Sequence, residues 1–157
     1  MINKILEFDN IFITGIFGSG KTYLARFAKP PTHTYISFDD NYSYETQDLT
    51  RIYRLMNGQF IMDALPLTAT GIDDRLKVYY AKHNCCTVLL KCDIDIWLER
   101  LKSKRWYDGS KIQEYKKNYD EFYNNDVKNN IESFDNVFMY DSGKENIMNV
   151  EGGCYWV

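Results

Sequence analysis

The chain has 157 residues, one domain by length, with 45% hydrophobic and 26% charged residues and a formal net charge of −3. That balance excludes a disordered chain and gives no whole-protein attraction to nucleic acid or an anionic membrane. No apolar run reaches membrane-spanning length, and the N-terminal MINKILEFDN lacks a signal-peptide core, so a cytoplasmic protein with no membrane contact is expected. No feature calls for an obligate protein partner.

In chain order, the run IFIT at 11–14 reads as a buried strand, and GIFGSGKT at 15–22 follows in the pattern G-x-x-x-x-G-K-[ST]. A helix over 21–28 is stopped by Pro30 and Pro31. HTYISF at 33–38 alternates as a second strand and delivers Asp39 and Asp40 at its end. Apolar spacing at Leu49, Ile52, Tyr53 and Met56 predicts a helix over 45–57, with Gly58 just past its end. FIMD at 60–63 is a short buried strand ending in Asp63. A helix over 72–82 follows, with Thr70 and Asp73 as its N-terminal signature.

TVLLKC at 87–92 is a fourth strand, and Asp93 caps the next helix, whose inward face is Ile94, Trp97, Leu98 and Leu101. A capping box from Ser110 to Gln113 opens a long helix through Tyr115, Tyr119, Phe122 and Tyr123. A fifth strand over 136–140 precedes the turn DSGKEN at 141–146 and a short helix before Gly152 and Gly153. Cys85, Cys86, Cys92 and Cys154 have no zinc-type pairing and are expected to be reduced core thiols. Strands alternating with helices predict an α/β fold: a five-stranded parallel sheet with helices on both faces, in a single domain over 1–157. Ligands of such a sheet bind at the C-terminal ends of its strands.

The glycine loop supplies the chemistry. Glycines let consecutive backbone N–H groups face a phosphate chain, and the following helix adds its positive end. The expected cradle is Gly15, Phe17, Gly18, Ser19, Gly20, Lys21 and Thr22, with Lys21 reaching the β and γ phosphates. Thr22 and Asp63 are the candidate Mg²⁺ ligands, so ATP and Mg²⁺ are the expected cofactors. Ala64, rather than glutamate, follows Asp63, which disfavours a motor ATPase, and no N-K-x-D sequence reads guanine.

The class that remains transfers the γ phosphate to an acceptor. Asp39 or Asp40 can take the proton of an attacking hydroxyl, with Asp39 the candidate base and Asp40 a cap or solvent-facing residue. Arg100, Lys104 and Arg105 in LERLKSKRWYDGSK are candidate cations of a lid at 100–117, or a solvated basic helix end.

The order GIFGSGKT, SFDD, FIMDALP and the helix through Tyr79-Tyr80-Ala81-Lys82 resembles the kinase domain of phage polynucleotide 5′-kinase and its relatives. KCDIDIWLERLKSKR with the later KIQEYKK is similar to that family's lid, so the resemblance spans residues 10–120. It implies a P-loop NTPase sheet of five parallel strands, Mg-ATP as donor and adenine beside 141–146. It also implies that Asp39 activates the acceptor hydroxyl and that Arg100 and Arg105 are the lid arginines.

One departure is Tyr42, which stands where that pattern carries an arginine for the nucleic-acid phosphate. Small phage kinases acting on 5-hydroxymethyluracil in DNA are of the same general sort. The segment 102–117 interleaves Lys and Arg with Trp106, Tyr107 and Tyr115, which suits a stacked single strand or extruded base, or a Tyr-rich helix packed on the core. The expected function is an ATP-dependent P-loop kinase acting on a hydroxyl of a nucleic-acid or nucleotide-type partner, either a 5′-hydroxyl end or a hydroxymethylated pyrimidine. A small-metabolite kinase is the alternative, and a nucleotide-dependent binding switch is the third reading.

Overall fold

The structure, a computed structural model, describes residues 2–68, 71–131 and 134–141. A short helix α1 (Ile2–Ile5) leads to β1 (Asn10–Thr14), α2 (Lys21–Ala28), β2 (Thr34–Ile36), α3 (Phe38–Asn41) and α4 (Thr50–Leu55). Then come β3 (Phe60–Met62), the hairpin β4 (Leu67–Thr68) and β5 (Gly71–Ile72), and α5 (Asp74–Lys82). The chain continues through β6 (Cys85–Lys91), α6 (Ile94–Leu101), α7 (Ile112–Glu121), α8 (Lys128–Ile131) and β7 (Val137–Asp141). A five-stranded sheet runs in the order β2-β3-β1-β6-β7, parallel throughout.

The central strand β1 is buried along its whole length, as its unbroken apolar run predicts for a strand covered on both sides. Its alternation divides the core. Phe12 joins Ile52, Leu76 and Tyr80 from α4 and α5, while Ile11 and Ile13 join Leu24 and Ala25 from α2 on the opposite face. Burying each Ile, Leu or Phe side chain among them contributes about 1.5–3 kcal/mol. A third cluster packs Trp97 and Leu101 of α6 against Tyr115 and Tyr119 of α7, beneath Ile16 of the glycine loop. The chain leaves β1 first toward the β3 side and later returns on the β6 side, so the glycine loop lies at the point where strand order reverses.

Several boundaries differ from the sequence-based expectation. β2 ends at Ile36, and Ser37 Oγ accepts from Asp40 N at 3.4 Å, so Asp39 and Asp40 lie in the first turn of α3. The helix expected over 45–57 begins only at Thr50. Asp48 Oδ1 accepts from both the amide (2.9 Å) and the hydroxyl (2.7 Å) of Thr50, which sets the start inside the apolar-spaced stretch. Upstream, an antiparallel bridge between Ser43 and Asp48 closes a loop in which Gln47 has φ +54°.

Asp73, accepting from Arg75 N, caps α5, and Ile72 belongs to the hairpin; Thr70 lies outside the described residues. Asp108, rather than Ser110, accepts the first orphan amide ahead of α7, after a 3₁₀ turn at Gly109–Lys111. The long helix is not uniform: a π-helical stretch, Phe122–Val127, separates α7 from α8. Cys85, Cys86 and Cys92 are buried, and burial pushes the Cys85 thiol up to about 12. Cys154, residues 142–146 of the DSGKEN turn and the C-terminal helix lie outside the described residues. No helix among the described residues is long and apolar enough to cross a membrane.

Candidate active site

The loop between β1 and α2 is shaped by left-handed glycines. Gly18 has φ +76° and Gly20, at the N-cap of α2, has φ +98°. A Cβ on Gly18 would also come within 2.7 Å of Leu101 Cδ2, so residues other than glycine are disfavoured there twice over. The outer edge of the loop is clamped from the lid side. Trp97 Nε1 donates to Phe17 O at 2.8 Å, and the Phe17 ring meets Trp97 and Trp106 edge-on with centroids 5.4 and 5.6 Å away. Tyr123, in the π-helical stretch, accepts from Ile16 N at 3.4 Å and donates to Leu90 O at 2.6 Å. Ser19 is buried, and its hydroxyl has no hydrogen-bond partner among the described residues.

Lys21 Nζ donates to Gly15 O (2.9 Å) and Ile16 O (3.2 Å), curling over the loop. Burial holds its ammonium below the ordinary value of 10.5; Asp39 and Asp63 oppose that shift, and Lys104 adds to it. A depressed lysine among backbone amides suits an incoming polyanion, which would restore its charge.

Asp63 is the hub. It is 6% exposed, lies just past the end of β3, and both carboxylate oxygens are engaged. Oδ2 accepts from Thr22 Oγ1 at 3.0 Å and from the Tyr35 hydroxyl at 2.5 Å, while Oδ1 accepts from Phe38 N at 2.8 Å. One carboxylate therefore ties three elements together: the first turn of α2, strand β2 and the start of α3. Because Phe38 immediately precedes Asp39, that hydrogen bond also fixes the second carboxylate relative to the first. The paired hydroxyl and carboxylate of Thr22 and Asp63 form a hard oxygen donor set that fits Mg²⁺.

Asp39 and Asp63 line one cavity of about 590 Å³ together with Lys21, Thr22, Tyr44 and Lys104. A second cavity of about 390 Å³ adjoins it, with Lys21, Phe38, Tyr44 and Ala64 in both linings. Its remaining wall includes Tyr42, Gln47, Leu65 and Phe122. Tyr44 donates to Asp39 Oδ1 at 2.6 Å, whereas Asp40 is exposed and outside both linings. The lid cation in the lining is Lys104. Arg100 points its Nη1 toward Cys92 Sγ at 3.9 Å, and Arg105 is exposed; neither lines the cavity.

The fold is similar to that of solved structures, several of them kinases. The YorR protein from Bacillus subtilis, in complex with phosphorylated GDP, is 15% identical with a TM-score of 0.57, covering 91% of each chain. Shikimate kinase from Bacteroides thetaiotaomicron is 13% identical with a TM-score of 0.54, over 83% of this chain and 85% of that one. Deoxyadenosine kinase from M. mycoides with bound dCTP is 15% identical with a TM-score of 0.52, over 90% and 95% respectively.

The chain has the P-loop kinase fold. At these identities the likeness is one of fold, and it is to a metabolite kinase and a nucleoside kinase rather than to a phage polynucleotide kinase. No protein-family model and no curated protein matches the chain.

Within that fold, sequence reasoning reached Lys21, Thr22, Asp39 and Asp63, which the structure brings to one cavity. It missed Tyr35, Tyr44, Gln47 and Phe122. Tyr35 reaches Asp63 across 28 positions of sequence, and Phe122 arrives from the far side of the lid, so neither carries a local signal.

Proposed function

We propose that this protein is an ATP- and Mg²⁺-dependent kinase that transfers the γ phosphate to a hydroxyl of a nucleic-acid or nucleotide-type acceptor. The observation that carries this reading is the convergence of Lys21, the Thr22–Asp63 pair and Asp39 on one cavity at the C-terminal edge of the sheet. Amides of Gly18 to Thr22 bind the β phosphate, and Lys21 swings from the Gly15 and Ile16 carbonyls toward the γ phosphate. Thr22 and Asp63 would hold the metal, in competition with the protein hydrogen bonds that both Asp63 oxygens already accept. Mg²⁺, when bound, neutralises charge on the phosphate chain. Asp39 orients the acceptor hydroxyl and takes its proton.

The lid supplies positive charge for the transferring group from Lys104, with Arg100 and Arg105 reaching it if the lid closes further. The acceptor class is read from the adjoining cavity. Phe38, Tyr42, Tyr44 and Phe122 offer ring faces, Gln47 offers an amide, and Lys21 is the one basic residue of that lining among the described residues. Ring walls suit a nucleobase, whose stacking contributes about 1–3 kcal/mol. An acidic metabolite would want an arginine fork; among the described residues none lines this adjoining cavity, and Arg26 lines the phosphate cavity instead.

The test is ADP release from Mg-ATP in the presence of nucleosides, 5′-hydroxyl oligonucleotides, duplex DNA containing 5-hydroxymethyluracil, and sugar acids. Acceleration by a nucleoside-bearing acceptor supports the reading, and acceleration by a sugar acid alone overturns its acceptor class. For an oligonucleotide, binding should weaken steeply with salt; for a free nucleoside it should not.

A further inference from the structure

Tyr44 puts a hydroxyl of the chain itself where an acceptor hydroxyl belongs. Its oxygen donates to Asp39 Oδ1 at 2.6 Å, and the residue lines both the phosphate cavity and the adjoining one. The side chain is nevertheless 68% exposed, on the loop closed by the Ser43–Asp48 bridge and by Gln47 N donating to Ser43 O at 2.7 Å. Its ring leans edge-on against Tyr42, with centroids 4.8 Å apart, and Tyr42 leans on Phe38 at 4.8 Å. The phenol is thus held against the base by a hydrogen bond and one ring contact, and free to leave toward solvent.

We propose that Tyr44 is an internal acceptor: with Mg-ATP bound and no substrate hydroxyl in place, the protein phosphorylates its own Tyr44. This rests on the kinase reading above and on Asp39 as its base. In the step, Asp39 takes the phenolic proton and the Tyr44 oxygen forms a bond to the γ phosphorus. The bond from that phosphorus to the β–γ bridging oxygen breaks, and ADP leaves with the electron pair. Burial and the Asp39 contact raise the phenol's pKa. The shift moves the phenol toward the range of an aliphatic alcohol, so the base that serves an alcohol can serve it. The product carries a charge of about −1.5 to −2 beside Asp39 and Asp63, which repels it from the base and leaves it across the acceptor cavity. Self-phosphorylation would therefore silence the enzyme when acceptor is scarce.

The experiment incubates the full chain with γ-labelled Mg-ATP alone and with increasing nucleoside acceptor, followed by peptide mapping. Tyr44→Phe and Asp39→Asn are run beside it. The expected result is label on Tyr44, absent from both variants, suppressed by acceptor, and appearing at a rate independent of protein concentration. Label persisting in Tyr44→Phe, or a rate that rises with protein concentration, overturns the proposal. Transfer to an acceptor with no label on the protein overturns it too and leaves the kinase reading standing. Nucleotide binding with neither product nor label removes both.

Discussion

Replacing Asp63 by alanine removes the acceptor for the Thr22 hydroxyl, the Tyr35 hydroxyl and the Phe38 amide in one step. The hydroxyls of Thr22, which is exposed, and Tyr35, which is half-buried, can turn to water. The Phe38 amide belongs to a buried residue and cannot. An orphaned buried N–H costs about 1–3 kcal/mol, and a lost hydrogen bond to a charged group about 1.5–3 kcal/mol before relief from no longer burying a carboxylate. The net expectation for Asp63→Ala is a loss of about 2–4 kcal/mol, or roughly 5–15 °C in Tm for a domain of this size.

Asp63→Asn behaves differently. Its carbonyl oxygen still accepts from Phe38, and its amide donates to hydroxyls that rotate to accept, so it should lose only about 1 kcal/mol. Both variants lose the carboxylate proposed to hold the metal, so both are expected to lose phosphoryl transfer. Thermal unfolding by circular dichroism with parallel turnover assays separates the two roles. An alanine variant as stable as the asparagine variant would refute the claim that Asp63 pins α3, and with it the account of how Asp39 is positioned.

Further outcomes follow from the same geometry. Lys104→Met should lower kcat by about 10²-fold, the effect of removing one donor from a transferring charge, while Arg105→Met should cost far less. The reverse order in steady-state assays would shift the lid register. Lys21, depressed below 10.5 by burial, costs stability while it is charged. That cost shrinks as pH rises from the depressed value toward the ordinary one, because the unfolded chain there binds more protons. Lys21→Met should therefore be more stable than the parent protein at neutral pH, with the gap narrowing across that window in urea titrations. A gap independent of pH would contradict it. Gln47→Gly relieves about 1–2 kcal/mol of left-handed strain against about 0.5–1 kcal/mol of added backbone freedom, so stability should be unchanged or rise by up to about 1.5 kcal/mol. The acceptor KM should rise. An unchanged KM would remove Gln47 from acceptor recognition.

The phosphate half of the site was legible because its geometry is local. A strand, a glycine loop and a helix are consecutive, and GIFGSGKT places Lys21 and Thr22 with no help from the rest of the chain. Asp39 and Asp63 were legible because each closely follows a short apolar strand. The acceptor half was not. Tyr44 reaches Asp39 only because α3 ends at Asn41 and the following loop closes at Asp48, and the helical spacing of Leu49, Ile52 and Met56 obscured that loop. Asp48, two residues ahead of Thr50, was a readable start signal that the apolar spacing outweighed. The choice among Arg100, Lys104 and Arg105 depends on how the chain leaves α6. Its last turn carries Arg100 toward Cys92, and the turn beyond it carries Lys104 into the cavity.

Whether Asp39 serves a kinase with a nucleoside-bearing acceptor is decided by following γ-labelled phosphate from Mg-ATP into an acceptor panel in single turnover, with Asp39→Asn in parallel. Label is expected on the hydroxyl of a nucleoside-bearing acceptor and should be lost in the variant, with nucleotide affinity retained because Asp39 does not belong to the phosphate cradle. Equal transfer by the variant, or label confined to a sugar acid, would contradict it.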